Sequence, residues 1–436
     1  MKLHPQKNPT KSTQNSKFQI FIWTLFDFAN TSYSIVVVTF LFAVYFKKEI
    51  AGGQSIGDLY WSIATGLSML ITAVISPVLG AIADYSAGKK RFLLFFTLLC
   101  IVSTASLYFL QPGMILASII IFTLANVGFE AGLVFYDSFL PEITIPKNYG
   151  RVSGYGFAMG YLGSLASLII AYPFIQNNLI KETFPLAALF FLVFALPLFV
   201  FISDKGKKNM PKYNYIKIGF SRVFDTIKHL KNYKNLSLFL LSFFFFIEGV
   251  NTIIYFSGNY ASTTLHFELT ELIIFFIIVQ TTAIIGSLLF GVLADSIGQK
   301  KSLILSLYIW LFTILVAYLT SSDKALIIKF LVNYTDLNSL SVEKYSFYVV
   351  GLLAGSVMGA TQSTSRSFLS KLIPIERKTE FFGFFSFFGK SSAILGPIVF
   401  GVVSYLTNSQ RYSILSIAFF FIVGLYILHF VKEKNI

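Results

Sequence analysis

The chain has 436 residues, 55% of them hydrophobic and only 12% charged, with 50 Phe and a net charge of +14; its mean hydropathy is +0.72. So little charge cannot cover a water-soluble surface, and lipid must solvate most of the fold. One Cys, four His without ligand spacing and no GxxxxGK[ST] loop exclude a disulfide framework, a His/Cys metal centre and a phosphate loop, so no cofactor and no enzymatic reaction are expected.

Residues 1–17 are polar and basic. The first apolar run, 18–46, carries Asp27 and Asn30 and has no small-residue cleavage site, so it reads as a retained helix and not a removed leader. Further runs follow at 58–83, 92–110, 114–136, 152–172 and 184–202. After a basic stretch come 236–262, with Glu248 and Asn251, then 271–294, 302–320, 346–369, 380–403 and 412–431. A helix needs about 20 apolar residues to cross a bilayer. These runs are long and continuous, unlike the short alternating strands of a membrane barrel. The expectation is an all-α membrane protein of twelve transmembrane helices, with a first six-helix half over 1–202, a basic cytoplasmic linker over 203–235 and a second six-helix half over 236–436.

Charge placement gives an orientation. On one side of the twelve spans lie 25 of the 34 Lys and Arg and on the other seven, with Arg366 and Lys390 inside spans. The positive-inside rule then puts both termini in the cytoplasm. The cations are dispersed over loops without a nucleic-acid motif, so the expected partners are the lipid bilayer and a small solute, and no nucleic acid.

Asp27 and Glu248 are the most informative residues. An ionisable group in hydrocarbon is costly and belongs by default to a transport pathway. At ~1.5 Å rise per residue, Asp27, Glu248 and Lys390 come out roughly 14, 18 and 15 Å into their spans, near the midplane. The two carboxylates are expected to carry a coupling proton or to meet a substrate ammonium, with Asn30 and Asn251 one turn on, and Lys390 to be their counter-ion or the partner of a substrate carboxylate. Sodium would suit the same oxygens. The bland alternative is helix-to-helix hydrogen bonding. Glu130 is expected to pair with Arg366 when the inner side closes, the alternative being that Arg366 snorkels to the headgroups. Asn126 and Gln362, each one turn earlier, are candidate solute hydrogen-bonders. Asp84 with Lys89 and Lys90, and Asp295 with Lys300 and Lys301, are expected to gate the inner face.

The chain also repeats itself. Asp27 and Glu248 are 221 apart, as are Asn30 and Asn251; Gly80 and Asp84 recur as Gly291 and Asp295 after 211; Ser138-Phe139-Leu140 recurs as Ser367-Phe368-Leu369 after 229, the offset that also relates Gly154 to Gly383 and Gly160 to Gly389. Span count, linker position and the GxxxD element resemble the major facilitator superfamily. Its inner-loop motif is altered here, with Ser296 where a cation is usual and one extra residue before Gly88.

A closer resemblance, over most of both halves, is to the vacuole-effluxer branch, the autophagy-related amino-acid effluxers and their bacterial relatives. It is carried by Trp23-Thr-Leu-Phe-Asp27-Phe-Ala-Asn30, Phe135-Tyr-Asp-Ser-Phe-Leu-Pro-Glu142, the glycine-rich run Arg151 to Gly163, and Gly359-Ala-Thr-Gln-Ser-Thr-Ser-Arg366. The resemblance implies a solute site between two rocking halves, lined by the first, fourth, seventh and tenth spans. It also implies a moving interface at the glycine-rich fifth and eleventh. The function expected is secondary active transport of a small polar solute, first an amino acid, by proton-coupled alternating access in a bacterial inner membrane or, as the alternative, a vacuolar one. An exporter of drugs or other metabolites is the second reading. A non-transporting membrane sensor is a third, against which the short termini and the linker of about 33 residues argue.

Overall fold

The structure is a computed structural model that describes residues 9–53, 56–86, 88–204, 215–320, 326–335, 337–393 and 395–433. Expectations resting on residues 1–8 and on the middle of the linker, 205–214, fall outside these.

In hydrocarbon each backbone polar group must be satisfied within its own segment, and the apolar runs accordingly fold as helices. In chain order these are α1 (Pro9–Tyr33), α2 (Ile56–Ser86), α3 (Lys89–Ser106), α4 (Ile115–Asp137), α5 (Tyr149–Gln176) and α6 (Thr183–Phe201). The linker contributes α7 (Tyr215–Lys228). Then follow α8 (Lys234–Thr263), α9 (Leu269–Ile297), α10 (Gln299–Leu319), α11 (Ser339–Leu372), α12 (Lys378–Ser392), α13 (Leu395–Thr407) and α14 (Gln410–His429). Among the described residues, eleven stretches are long and apolar enough to cross a membrane. The polar helix α11, 34 residues with Glu343, Lys344, Arg366 and Lys371, is long enough to be the twelfth.

Two departures from simple rods matter. The first span runs on past Tyr33 through π-helical turns at Ser34–Phe40 and Phe46–Ile50, which widen and bend it. The run expected at 380–403 is divided into α12 and α13, with Pro397 in the first turn of α13, where a missing N–H is tolerated.

One hydrophobic core gathers residues between Ile22 and Ile202, among them Trp23, Phe26, Tyr136 and Phe139; a second, around Phe239, Phe246, Trp310, Phe368 and Phe421, draws almost entirely on residues after 235. They meet along two seams, α2 against α12 and α5 against α9 and α11. Glycine permits the approach. A Cβ on Gly383 would come within 2.4 Å of the Ser76 carbonyl oxygen, and one on Gly154 within 2.3 Å of the Ser287 carbonyl oxygen. The bundle face onto which α2, α6, α9 and α14 all end is called here the linker face.

Candidate functional site

Arg366 of α11 reaches across the α5 seam into a socket made by α1, α4 and α5. Its Nη1 donates to Asp137 Oδ1 at 2.8 Å and to Asp27 Oδ2 at 3.3 Å, its Nε to Ser153 Oγ at 2.9 Å and its Nη2 to the Ser153 carbonyl at 2.8 Å. The guanidinium lies over the rings of Phe157 (4.3 Å) and Trp23 (4.7 Å). The residue is only 3% exposed. The socket is rigid. Trp23 and Tyr136 stack at 4.7 Å, Trp23 Nε1 donates to the Tyr136 carbonyl, and the Tyr136 hydroxyl proton is shared between Asp27 Oδ2 (2.8 Å) and the Trp23 carbonyl (3.0 Å). A Cβ at Gly156 would sit 2.5 Å from both Arg366 Nη2 and Asp27 Oδ2, so only glycine admits the pair.

Above this socket is a cavity of about 230 Å³ between the two cores, lined in part by Glu130, Asp137, Phe157, Asn251, Gln362, Arg366 and Lys390. Lys390 Nζ of α12 lies 2.5 Å from Glu130 Oε2 of α4. The lining therefore presents two carboxylates, an ammonium and a guanidinium, together with the rings of Phe157, Phe243, Phe382 and Phe385. Phe243 and Phe385 stack at 3.9 Å, so the phenylalanine-rich stretches of α8 and α12 form part of the cavity wall.

The ion pairing differs from the sequence expectation. Arg366 pairs with Asp27 and Asp137 and not with Glu130, and Lys390 pairs with Glu130 and not with Asp27 or Glu248. Axial register explains it: Asp137 is seven residues beyond Glu130 on α4, two turns nearer the linker face and on the same side, which is where Arg366 arrives. Nor does Arg366 snorkel. The duplicated acids also differ. Asn30 Nδ2 contacts Asp27 Oδ1 at 3.5 Å, whereas Asn251 turns into the cavity with Ile247, one helical turn away. Glu248, one residue on from Ile247, is rotated off that face and is 0% exposed. It points at the α12/α13 break, where its Oε1 accepts from Gly396 N–H, and the same oxygen accepts from Thr252 Oγ1 one turn on along α8. Asn126 is also withdrawn from the cavity: its Nδ2 donates to Ser68 Oγ at 2.8 Å and its Oδ1 accepts from the Tyr33 hydroxyl at 3.3 Å, which ties α1, α2 and α4 together. Gln362 lines the cavity, and its Oε1 accepts from Tyr161 at 3.4 Å.

At the linker face the paired acids meet helix starts of the opposite core. Asp295, at the end of α9, accepts from Gly150 N–H (2.7 Å), Arg151 N–H (3.1 Å) and Arg151 Nε (2.8 Å) at the start of α5. Asp84, near the end of α2, accepts from Glu380 N–H (2.8 Å) at the start of α12. A carboxylate at a helix N-terminus satisfies orphan donors and opposes the dipole. Glu142 sits between Lys89 and Lys378, Lys378 belonging to α12. Lys90 donates to the Ile202 carbonyl and its N–H to Asp204, while Lys300 binds Glu433 and the His429 carbonyl, so both hold connections within their own core. Lys301 is exposed on this face.

Asp137, Ser153, Tyr136 and Phe157 escaped sequence reasoning. The available signal was the seven-residue interval from Glu130 to Asp137, which stacks the two acids on one face of α4.

This arrangement, with two helical cores joined at α2/α12 and α5/α9 around a charged cavity, is that of the major facilitator fold. The proton:xylose symporter XylE aligns with a TM-score of 0.73 at 12% identity over 97% of both chains. A bacterial homologue of the iron transporter ferroportin aligns with a TM-score of 0.68 at 14% identity over 95% of this chain and 98% of that one. The profile of the family described as "Vacuole effluxer Atg22 like" matches residues 49–435, and the chain belongs to that family. A relative from Bacillus subtilis (strain 168), the "uncharacterized MFS-type transporter YxiO", is 32% identical over 430 residues, covering 95% of this chain and 94% of its own. The autophagy-related protein 22 of Vanderwaltozyma polyspora is 26% identical over 306 residues, covering 65% of this chain and 57% of that protein. The protein is thus an integral, multi-pass membrane protein of an MFS-type transporter family.

Proposed function

We propose that the protein is a secondary transporter in which residues 1–202 and 236–436 act as two rocking halves, with the linker face toward the cytoplasm of a bacterial inner membrane. The observation that carries the reading is the cavity between the halves, where Glu130 of one faces Lys390 of the other at 2.5 Å. A zwitterion can replace that ion pair, its ammonium at Glu130 and its carboxylate at Lys390, so that neither buried charge is left unpaired. The rings of Phe157, Phe243, Phe382 and Phe385 suit an apolar side chain. An amino acid meets both conditions, in keeping with the family. The aromatic wall also suits an amphipathic drug-like cation at Glu130, the second reading.

Asp84, Asp295 and the Arg366 socket hold the linker face closed, and rocking must separate them. Coupling to protons is assigned to Glu248, with which no cation pairs among the described residues and whose protonation would loosen its hold on Gly396 at the α12/α13 break. Asp27, engaged by Arg366, belongs to the lock. Counterflow of labelled amino acids in proteoliposomes tests the reading: saturable exchange abolished by Lys390→Met supports it, and no exchange with any member of the panel overturns it.

A further inference from the structure

The linker helix α7 lies against α2. Along α2 the side chains of Leu59, Ile63, Leu67, Leu70 and Val74 form an exposed apolar stripe at helical spacing, the side that a spanning helix turns to lipid. The stripe continues through Val78 and Ile82, which are 9% and 7% exposed, because α7 covers them. Gly219 makes the contact, and a Cβ there would lie 2.7 Å from Ile82 Cγ1. Ile82 and Val78 are four and eight residues from the end of α2 at Ser86, so α7 packs about 6–12 Å inside that helix end. α7 thus covers apolar side chains that continue the lipid-facing stripe of α2.

Its outward side fits that position. Phe220, Phe224 and Ile227, at i, i+4 and i+7, are 59%, 67% and 49% exposed on one face. Lys217 and Lys228 flank this face, and Lys231 and Lys234 follow; all four are exposed. An apolar stripe edged by lysines is the pattern of a helix lying in an anionic membrane surface. The inner side of α7 is tied to the α2/α12 seam. Thr226 donates to Glu380 Oε1 and accepts from Arg377 Nη1 at 3.1 Å, and Arg222 stands 5.6 Å over the Tyr85 ring. Glu380 is the residue whose N–H Asp84 holds.

We propose that α7 docks on the anionic headgroup layer, with Phe220, Phe224 and Ile227 among the outer acyl carbons, and that this docking braces the α2/α12 seam in its closed arrangement. The partner is the lipid surface itself, and the proposal does not depend on which solute is carried.

The full-length protein, with Cys100 replaced by Ser, tests it in nanodiscs of phosphatidylcholine alone or mixed with phosphatidylglycerol. A spin label at position 224 is expected to collide with oxygen several-fold more, relative to a water-soluble nickel chelate, than a label at position 221, which is exposed on the polar side. The contrast should grow with phosphatidylglycerol and shrink in Lys217→Gln/Lys228→Gln/Lys231→Gln. Between labels at Ser86 and Ile375, the distance distribution should narrow with phosphatidylglycerol and broaden in Phe220→Ser/Phe224→Ser. Equal nickel access at 221 and 224 in both lipids overturns the proposal. So does protection of 224 that persists in detergent together with a dimeric particle, because a second copy would then cover the face.

Discussion

Arg366 and Asp137 meet at 2.8 Å across the boundary between the two helical cores, and the same guanidinium reaches Asp27 at 3.3 Å. One cation from α11 thus neutralises two carboxylates from α1 and α4 in a socket nearly closed to solvent. Removing one partner of a buried ion pair costs about 3–5 kcal/mol, because the charge left behind is uncompensated.

Arg366→Ala should therefore lower the melting temperature sharply, and Arg366→Lys should rescue it only in part, since an ammonium cannot reproduce the fork that serves Asp137, Asp27 and Ser153 together. Asp27→Asn/Asp137→Asn in the Arg366→Met background should recover much of the loss. Thermal unfolding of these variants, the Arg366→Met background and the wild type checks this; an Arg366→Ala protein as stable as wild type would contradict the socket.

Glu130 and Lys390 offer a charge-swap test. Lys390→Glu apposes two acids and should abolish transport, whereas Glu130→Lys/Lys390→Glu should restore thermal stability but not the original solute preference. If the swapped protein transports the same solute equally well, the pair is structural.

The two linker-face acids should differ in weight. Asp295 accepts from two backbone N–H groups and from the charged guanidinium of Arg151, whereas the hydrogen bonds of Asp84 come from neutral groups at the start of α12, so Asp295→Ala should open that face more than Asp84→Ala. A net hydrogen bond to a charged group contributes about 1.5–3 kcal/mol, enough to shift a closed–open balance at least tenfold. Alkylation of Ser287→Cys, a position buried on α9 against Gly154 of α5, reads the shift, with Lys301→Ala as the silent control.

Glu248→Gln keeps an acceptor for Gly396 N–H and fixes the neutral form. Exchange at equal pH on both sides should survive, while uptake driven by a pH gradient should disappear and the pH dependence of exchange should flatten. Asp27→Asn should impair both modes. Gradient-driven accumulation retained in Glu248→Gln would remove this residue from coupling.

Much of the framework was legible because it is written locally. Apolar runs fix where helices form, the Asp27–Asn30 spacing is a one-turn contact, and the Gly80/Asp84 and Gly291/Asp295 duplication points to the two corners where the cores touch. The pairing was not legible, since whether Arg366 meets Glu130 or Asp137 depends on how far α11 is shifted along α4, and sequence carries no record of that shift. Glu248 shows a second limit: a rotation of one residue separates it from Ile247 and Asn251, and on a helix apolar over most of its circumference no periodicity says which face meets the cavity. The α12/α13 break hid for the same reason, because hydropathy is continuous through Gly396 and Pro397.

The most direct measurement is counterflow in proteoliposomes with a panel of labelled amino acids, run side by side on the wild type, Glu130→Gln and Lys390→Met. Saturable exchange of at least one zwitterion by the wild type, lost in both variants while each stays folded, is the expected result. Exchange that proceeds unchanged in both would contradict a solute route through the Glu130–Lys390 cavity.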